Sequence, residues 1–91
     1  MRETTVETHL RTQVVNAGGT TRKFSSATRK NNPDQIVIWP GAVIHFAELK
    51  APKKTANAGQ LREHTRLRKL GCTVVVLDTK AKVDAYVEFW R

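Results

Sequence analysis

Two short apolar runs joined by a proline-glycine turn constrain the fold of this chain more than any other feature. The runs are residues 35–39 and residues 43–47, and both are rich in the β-branched and aromatic residues that favour strands. The Pro-Gly pair between them is typical of a turn. The pattern therefore predicts a β-hairpin with a three-residue loop, in which Trp39 pairs with Val43.

The register of this hairpin decides whether two carboxylates meet. Counting outward from the turn places Asp34 opposite Glu48, and directly opposed residues of a sheet have Cβ atoms about 4.5–5.5 Å apart. Alternation along the second strand puts Lys50 on the same face as Glu48. A loop shorter by one residue would pair Asp34 with Ala47 and scatter the three charges, so the register is a prediction that the structure tests.

Two carboxylates and a lysine on one face suit metal chemistry on a phosphodiester. Asp34 and Glu48 repel each other when they are alone, whereas carboxylate oxygens are good ligands for Mg²⁺ or Mn²⁺. Lys50 would then orient a water or stabilise the charge that develops on phosphorus. A plainer interpretation stays open, in which these residues form an ordinary edge of salt-bridged charges and Lys50 neutralises Glu48.

Short motifs follow one another in a fixed order along nearly the whole chain. They are Gly18-Gly19, Lys23-Phe24, residues 32–37 around Pro33-Asp34, residues 46–52 around Glu48-Leu49-Lys50, Gln60, and residues 67–71. In this order they resemble the phage-type, single-domain members of the VRR-NUC (virus-type replication-repair nuclease) family of the PD-(D/E)xK nuclease superfamily. The resemblance implies one nuclease domain over residues 1–91. It also implies an α/β fold with a restriction-endonuclease-like α-β-β-β-α-β core, a mixed central sheet and a C-terminal helix.

The same resemblance implies Mg²⁺- or Mn²⁺-dependent endonucleolytic hydrolysis of DNA. Asp34, Glu48 and the backbone carbonyl of Leu49 would hold the metal, and Lys50 would serve as the catalytic lysine. Bound metal acidifies an attacking water and neutralises charge on the phosphate.

Two helices are expected to complete this site. Related nucleases bring a glutamate from the first helix to the metal, and Glu7 fits the spacing to Leu10 better than Glu3, which lies one turn away. An ordinary surface acid is the alternative for Glu7. Gln60, in the first turn of the second helix, would help to order the water or the phosphate. His64 follows on the same face, where a packed or exposed histidine is favoured over a substrate contact.

The run before Pro33 departs from the family. Relatives commonly carry arginine and glycine there and an arginine after the aspartate, whereas this chain has Asn31-Asn32 before Pro33 and Gln35 after Asp34. Asparagine tolerates left-handed dihedrals better than most residues. We therefore expect the departure to affect substrate preference more than chemistry.

The charge of the chain indicates a polyanionic partner. It carries 16 lysines and arginines against 8 acids, a formal net charge of +8, and such a surplus is typical of nucleic-acid-binding proteins. The candidate DNA contacts are Arg22, Lys23, Arg29, Lys30, Lys53, Lys54, Arg62, Arg66 and Lys69. Many small basic proteins bind nucleic acid without chemistry, so a non-catalytic binding protein is the competing class, and a nuclease-fold subunit of a larger complex is a third.

The remaining elements follow from periodicity. We expect helices over residues 3–16, 58–70 and 81–90, a first strand over residues 20–26 with Phe24 in the core, and a central strand over residues 73–77 that is buried on both faces. Leu61, Leu67 and Leu70 of the second helix are expected to pack inward.

Partners and location are inferred more broadly. Small relatives resemble Holliday-junction resolvases, and a two-fold symmetric dimer supplies the paired nicks that a four-way junction requires, so we expect a homodimer acting on branched DNA in replication, recombination or repair. No apolar run approaches the roughly 20 residues that span a membrane. One cysteine allows no internal disulfide and fits a reducing cytoplasm, that of a bacterial host if the protein is phage-encoded.

Overall fold

A computed structural model of the protein describes residues 3–25, 31–51 and 54–91. Its elements are α1 (Glu3–Asn16), β1 (Thr20–Lys23), β2 (Gln35–Trp39), β3 (Val43–Leu49), α2 (Ala58–Lys69), β4 (Thr73–Leu77) and α3 (Lys80–Trp90). The order α-β-β-β-α-β-α confirms the predicted α/β fold class. Within the described ranges, no helix combines the length and the apolar character needed to cross a membrane.

The four strands form one mixed sheet in the order β1-β2-β3-β4. The first three strands are antiparallel neighbours, and β4 pairs in parallel with β3 after the crossover through α2. The predicted hairpin register is confirmed, because Trp39 pairs with Val43 and Ile36 with Phe46. Continued two residues beyond Ile36, this register sets Asp34 opposite Glu48.

The apolar core lies on the face of the sheet that carries α1 and α3. Val6, Leu10 and Val14 lie one helical turn apart on α1 and are each at most 1% exposed, as their i, i+4, i+8 spacing predicts. They pack with residues that alternate along the strands and with one face of α3: Val37, Trp39, Ala47, Leu49, Leu77, Val83, Tyr86 and Val87. The opposite face of β3 carries Glu48, and α2 covers it.

Two predicted strand boundaries move in the structure. Strand β1 ends at Lys23, and Phe24 continues the pairing by a single backbone hydrogen bond to Asp34 O at 2.9 Å. Phe24 is half-buried and packs its ring against Phe46. Strand β3 continues to Leu49, two residues beyond the predicted run, because parallel pairing with β4 extends that far.

Strand β4 lies at an edge of the sheet, so the prediction of a central strand was wrong. Its apolar run is still largely covered, since Val74 and Leu77 are buried and Val75 packs against the core cluster. Helices on the two faces of the sheet cover an edge strand as effectively as a central one, so the run of apolar residues did not distinguish the two positions.

Of the three leucines in and just after α2 that were predicted to pack inward, Leu61 and Leu70 do not, whereas Leu67 is half-buried. Leu61 is 52% exposed and Leu70 is 78% exposed, whereas the buried residues of this helix are Glu63 and His64. Polar contacts to the sheet therefore decide which face of α2 is buried, and Leu61 and Leu70 are left exposed to solvent.

Candidate active site

Asp34 is fixed where β2 begins. The buried Pro33 precedes it, and its own carbonyl accepts the Phe24 N–H at 2.9 Å. The Asp34 carboxylate reaches across to β3, where Oδ2 accepts the backbone N–H of Leu49 at 2.9 Å. The register and this hydrogen bond together hold the Asp34 side chain beside the end of β3.

Glu48 is the most deeply buried carboxylate of the described residues, at 1% exposure. Its Oε2 accepts a hydrogen bond from Gln60 Nε2 at 3.3 Å and lies 3.9 Å from Lys50 Nζ. Its Oε1 lies 3.3 Å from His64 Nε2. A buried charge is expensive without partners, and here donors from β3 and α2 converge on both carboxylate oxygens.

Lys50 follows β3 directly and is held there by its backbone. Its N–H donates to Leu77 O at 3.0 Å, which extends the β3–β4 pairing by one step. Its side chain is 20% exposed, and its ammonium lies at the outer limit of ion pairing with Glu48. Lys50 therefore shares the face of Glu48, as predicted, and retains access to solvent and to a ligand.

Gln60 joins the start of α2 to the site. Asn57 precedes the helix, and its side-chain oxygen accepts the Gln60 N–H at 2.8 Å. The Gln60 Oε1 accepts the Asn57 N–H in return at 2.9 Å, which completes a capping box. Because the oxygen of this amide caps the helix, its Nε2 is left to point at Glu48.

His64 lies one turn beyond Gln60 and is fully buried against Glu48. Burial lowers the pKa of His64 below its usual 6.5, and the positive charges of Arg68 and Lys50 lower that pKa further. Within the described part of the chain, His64 Nδ1 has no hydrogen-bond partner. The sequence interpretation favoured a packed or exposed histidine over a substrate contact, and the structure shows the packed one. The contact with Glu48 was missed; the i, i+4 spacing from Gln60 was the signal that pointed to it.

Glu7 reaches the neighbourhood of the site through a different residue. Its Oε1 accepts a hydrogen bond from Gln35 Nε2 at 3.3 Å, and Gln35 directly follows Asp34 on the face that packs against α1. Among the described residues, no group of three or more His, Cys, Asp or Glu side chains is close enough to hold a metal. The role of Glu7 as a metal ligand stays a prediction.

The segment that departs from the family packs onto α2. Asn31 has a φ of +67°, the left-handed conformation that the asparagine was expected to tolerate. Its side chain lies against Gly59, where an added Cβ would approach Asn31 Nδ2 to 2.6 Å. Glycine in the first turn of α2 therefore makes room for the loop that leads into Asp34.

The predicted DNA-contacting cations occupy several surfaces. Arg22 and Lys23 are exposed on β1, and Arg22 donates to Thr20 Oγ1 at 2.6 Å and to Thr21 O at 2.8 Å. Lys54 is exposed just before α2. Arg29, Lys30 and Lys53 lie outside the described residues.

The cations of α2 lie on the helix face that points away from the sheet. Arg62 and Lys69 are about half a turn around the axis from Gln60, and both are exposed. Arg66 pairs with Glu63 at 2.7 Å. With Leu61 and Thr65, these three cations line a groove on the outer surface of the helix. These cations do not contact the carboxylates of Asp34 and Glu48 directly.

The donor set of Asp34 and Glu48 fits a divalent cation of the Mg²⁺ type. Mg²⁺ prefers oxygen ligands and is commonly held through one or two carboxylates, with waters and substrate phosphates completing its shell. The two carboxylates occupy opposed positions at the start of β2 and near the end of β3, beside a partly exposed lysine.

Comparison with known proteins agrees with this architecture. No protein-family model matches the chain. A phage protein named "Putative nuclease p44", from Acyrthosiphon pisum secondary endosymbiont phage 1, is 44% identical over 80 residues, which are 88% of this chain and 86% of that protein. A solved VRR_NUC domain structure superposes with a TM-score of 0.90 at 36% identity, covering 98% of this chain and 97% of that one.

The fold and these similarities place the protein in the PD-(D/E)xK nuclease superfamily. Within that superfamily, the chain belongs to the VRR-NUC family, as the order of its motifs indicated.

Proposed function

We propose that the protein is a Mg²⁺- or Mn²⁺-dependent DNA endonuclease that hydrolyses phosphodiester bonds and prefers branched DNA. The observation that carries this proposal is the buried Glu48 carboxylate, held opposite Asp34 by donors from Gln60, His64 and Lys50. Membership of the VRR-NUC family supports it.

The buried carboxylate favours an enzyme over a binding protein without chemistry. In a chain with a net charge of +8, a carboxylate beside Asp34 weakens attraction to phosphate and must be desolvated. A binding surface gains nothing from either effect. A metal site needs both carboxylates, and the donors around Glu48 hold its side chain ready.

Each residue of the proposed site has a separate role in the reaction. Asp34 and Glu48 would hold the cation, and the backbone carbonyl of Leu49 would supply a third oxygen. When bound, the cation acidifies an attacking water and neutralises charge on the phosphate. Lys50 presents its ammonium to the same space, where it orients that water or stabilises the charge developing on phosphorus. Gln60 keeps the Glu48 carboxylate directed toward the metal.

Substrate preference is the finer part of the proposal. A four-way junction requires two nicks related by a two-fold axis, and a symmetric homodimer supplies two active sites in that relation. Exposed aromatic side chains at the end of α3, Phe89 at 78% and Trp90 at 38%, are available for a subunit contact. We expect a dimeric mass by light scattering at micromolar concentration, and a monomer throughout that range would contradict the dimer.

One cleavage assay tests the proposal. Labelled duplex, flap and four-way DNA are incubated with the protein and Mg²⁺, Mn²⁺ or EDTA, and metal-dependent nicks are expected, most abundant on the four-way substrate. Lys50→Ala should remove cleavage while DNA binding persists. Lys80→Ala, which removes an exposed lysine from the start of α3, is the matched control. Undiminished cleavage by Lys50→Ala, or cleavage in EDTA, would overturn the proposal.

A further inference from the structure

His64 takes no part in the proposed metal and water chemistry itself, but it is buried against Glu48. We propose that His64 is a positioning residue, which holds Glu48 in the orientation that binds the divalent cation. This inference rests on the proposed function, because it concerns the metal affinity of the same site.

The geometry fixes what His64 contributes. Glu48 and His64 are 1% and 0% exposed, and Nε2 of the ring lies 3.3 Å from Glu48 Oε1. An ionised carboxylate only accepts hydrogen bonds, so the ring nitrogen that faces it carries the hydrogen. The inference therefore requires the Nε2–H form of His64, in which the ring donates to an ionised Glu48.

The other ring nitrogen argues against a purely structural role. His64 Nδ1 is buried, and the described residues offer it no hydrogen-bond partner. An unsatisfied polar atom in the interior destabilises the fold, and a leucine at this position would fill similar space without that cost. The contact with Glu48 is the reason we infer for an imidazole at this position.

Helix α2 thus holds the two oxygens of one carboxylate separately. Gln60 donates to Oε2 and His64 to Oε1, and these two residues are one helical turn apart. A carboxylate has about four acceptor positions, so these bonds are compatible with a metal bond. Partners that orient a metal-binding carboxylate typically change metal affinity by about 10–100-fold when they are removed.

A pair of amide substitutions separates donation from polarity. In His64→Gln the amide nitrogen lies near the position of Nε2, whereas in His64→Asn it lies near the position of Nδ1 and falls short of Glu48. Binding of Mn²⁺ to the DNA-free protein is followed by the electron paramagnetic resonance signal of the free ion. His64→Asn should weaken binding about tenfold or more, and His64→Gln should restore most of it.

Thermal unfolding of each variant shows whether it is folded, and His9→Asn is the matched control because it changes a helical histidine that pairs with Asp84 instead. A second readout needs no metal: imidazole nitrogen chemical shifts of the wild-type protein should show the Nε2–H form for His64. The Nδ1–H form would overturn the inference, and so would equal Mn²⁺ affinity of folded His64→Asn and wild type. Absence of Mn²⁺ binding by the wild type would instead overturn the proposed function itself, and the inference with it.

Discussion

The two faces of the sheet bury their side chains by different means. Toward α1 and α3, apolar residues such as Val6, Leu10 and Leu49 are excluded from water, and each such side chain stabilises the fold by about 1.5–3 kcal/mol. Toward α2, the buried centre is Glu48 with donors around it. The apolar face therefore supplies stability, and the polar face holds a charged group in a fixed orientation at some expense of stability.

This division predicts that stability and cleavage respond to different substitutions. Leu10→Ala, on the apolar face, should lower the free energy of unfolding by about 2–5 kcal/mol, because it removes a side chain that is 1% exposed. The rate of DNA cleavage per folded molecule should stay at the wild-type level. Chemical denaturation and a cleavage assay below the unfolding transition measure the two quantities, and equal loss of both would break the division.

Glu48→Gln should show the converse behaviour. The neutral amide keeps the volume of the side chain and removes the metal-binding charge, so cleavage should fall by on the order of 10²-fold or more, about 2.7 kcal/mol in transition-state free energy. The free energy of unfolding should change less than for Leu10→Ala, because removing a buried charge relieves its desolvation cost and so offsets the donor that the amide nitrogen now faces. Unfolding of Glu48→Gln at room temperature would contradict this expectation.

Sequence analysis predicted the face of the sheet that carries α1 and α3 better than the face that carries α2. The i, i+4, i+8 spacing predicted the buried apolar residues of α1, and the local geometry of a three-residue turn predicted the register that sets Asp34 opposite Glu48. The burial of Glu63, the contact of His64 with Glu48, and the exposure of Leu61 and Leu70 were missed. Contacts between α2 and a strand elsewhere in the chain decide which face of α2 is buried. The pattern of apolar residues along the helix does not reveal these contacts.

Acid should weaken the apolar face through His45. This residue is 2% exposed, and its Nδ1 lies 2.7 Å from Tyr86 Oη and accepts the Trp39 indole N–H at 3.2 Å. Burial lowers the pKa of His45 below 6.5 and raises the pKa of Tyr86 to about 12, so the ring is neutral and the phenol keeps its proton.

The sign of the effect follows from these pKa directions. Below the unfolded pKa of 6.5, the unfolded chain binds a proton that folded His45 does not, so stability falls as pH drops from 6.5 toward the lowered folded pKa and is unaffected by His45 above 6.5. Denaturation at about pH 7.5 and about pH 5.5 brackets this window. His45→Gln should show a smaller difference between the two conditions, and an unchanged difference would assign the pH dependence elsewhere.

Gln60 both caps α2 and donates to Glu48. Its variants should show the smallest change in stability. Gln60→Ala removes the capping box and should cost about 1 kcal/mol, together with the bond to Glu48. Gln60→Glu preserves a capping box but brings a like charge to Glu48. We expect thermal unfolding to separate the two variants and cleavage to fall in both. Full activity of Gln60→Glu would show that the amide does not orient Glu48.

The most direct test is cleavage of a labelled four-way junction by wild type and Asp34→Ala, each with Mg²⁺ and with EDTA. Asp34 holds the opposite side of the site from Glu48, and its removal leaves the apolar face intact. Nicks from the wild type with Mg²⁺ alone, and retained junction binding by Asp34→Ala without nicks, are the predicted results. Undiminished nicking by Asp34→Ala, or nicking in EDTA, would contradict the assignment of this face as a metal-dependent nuclease site.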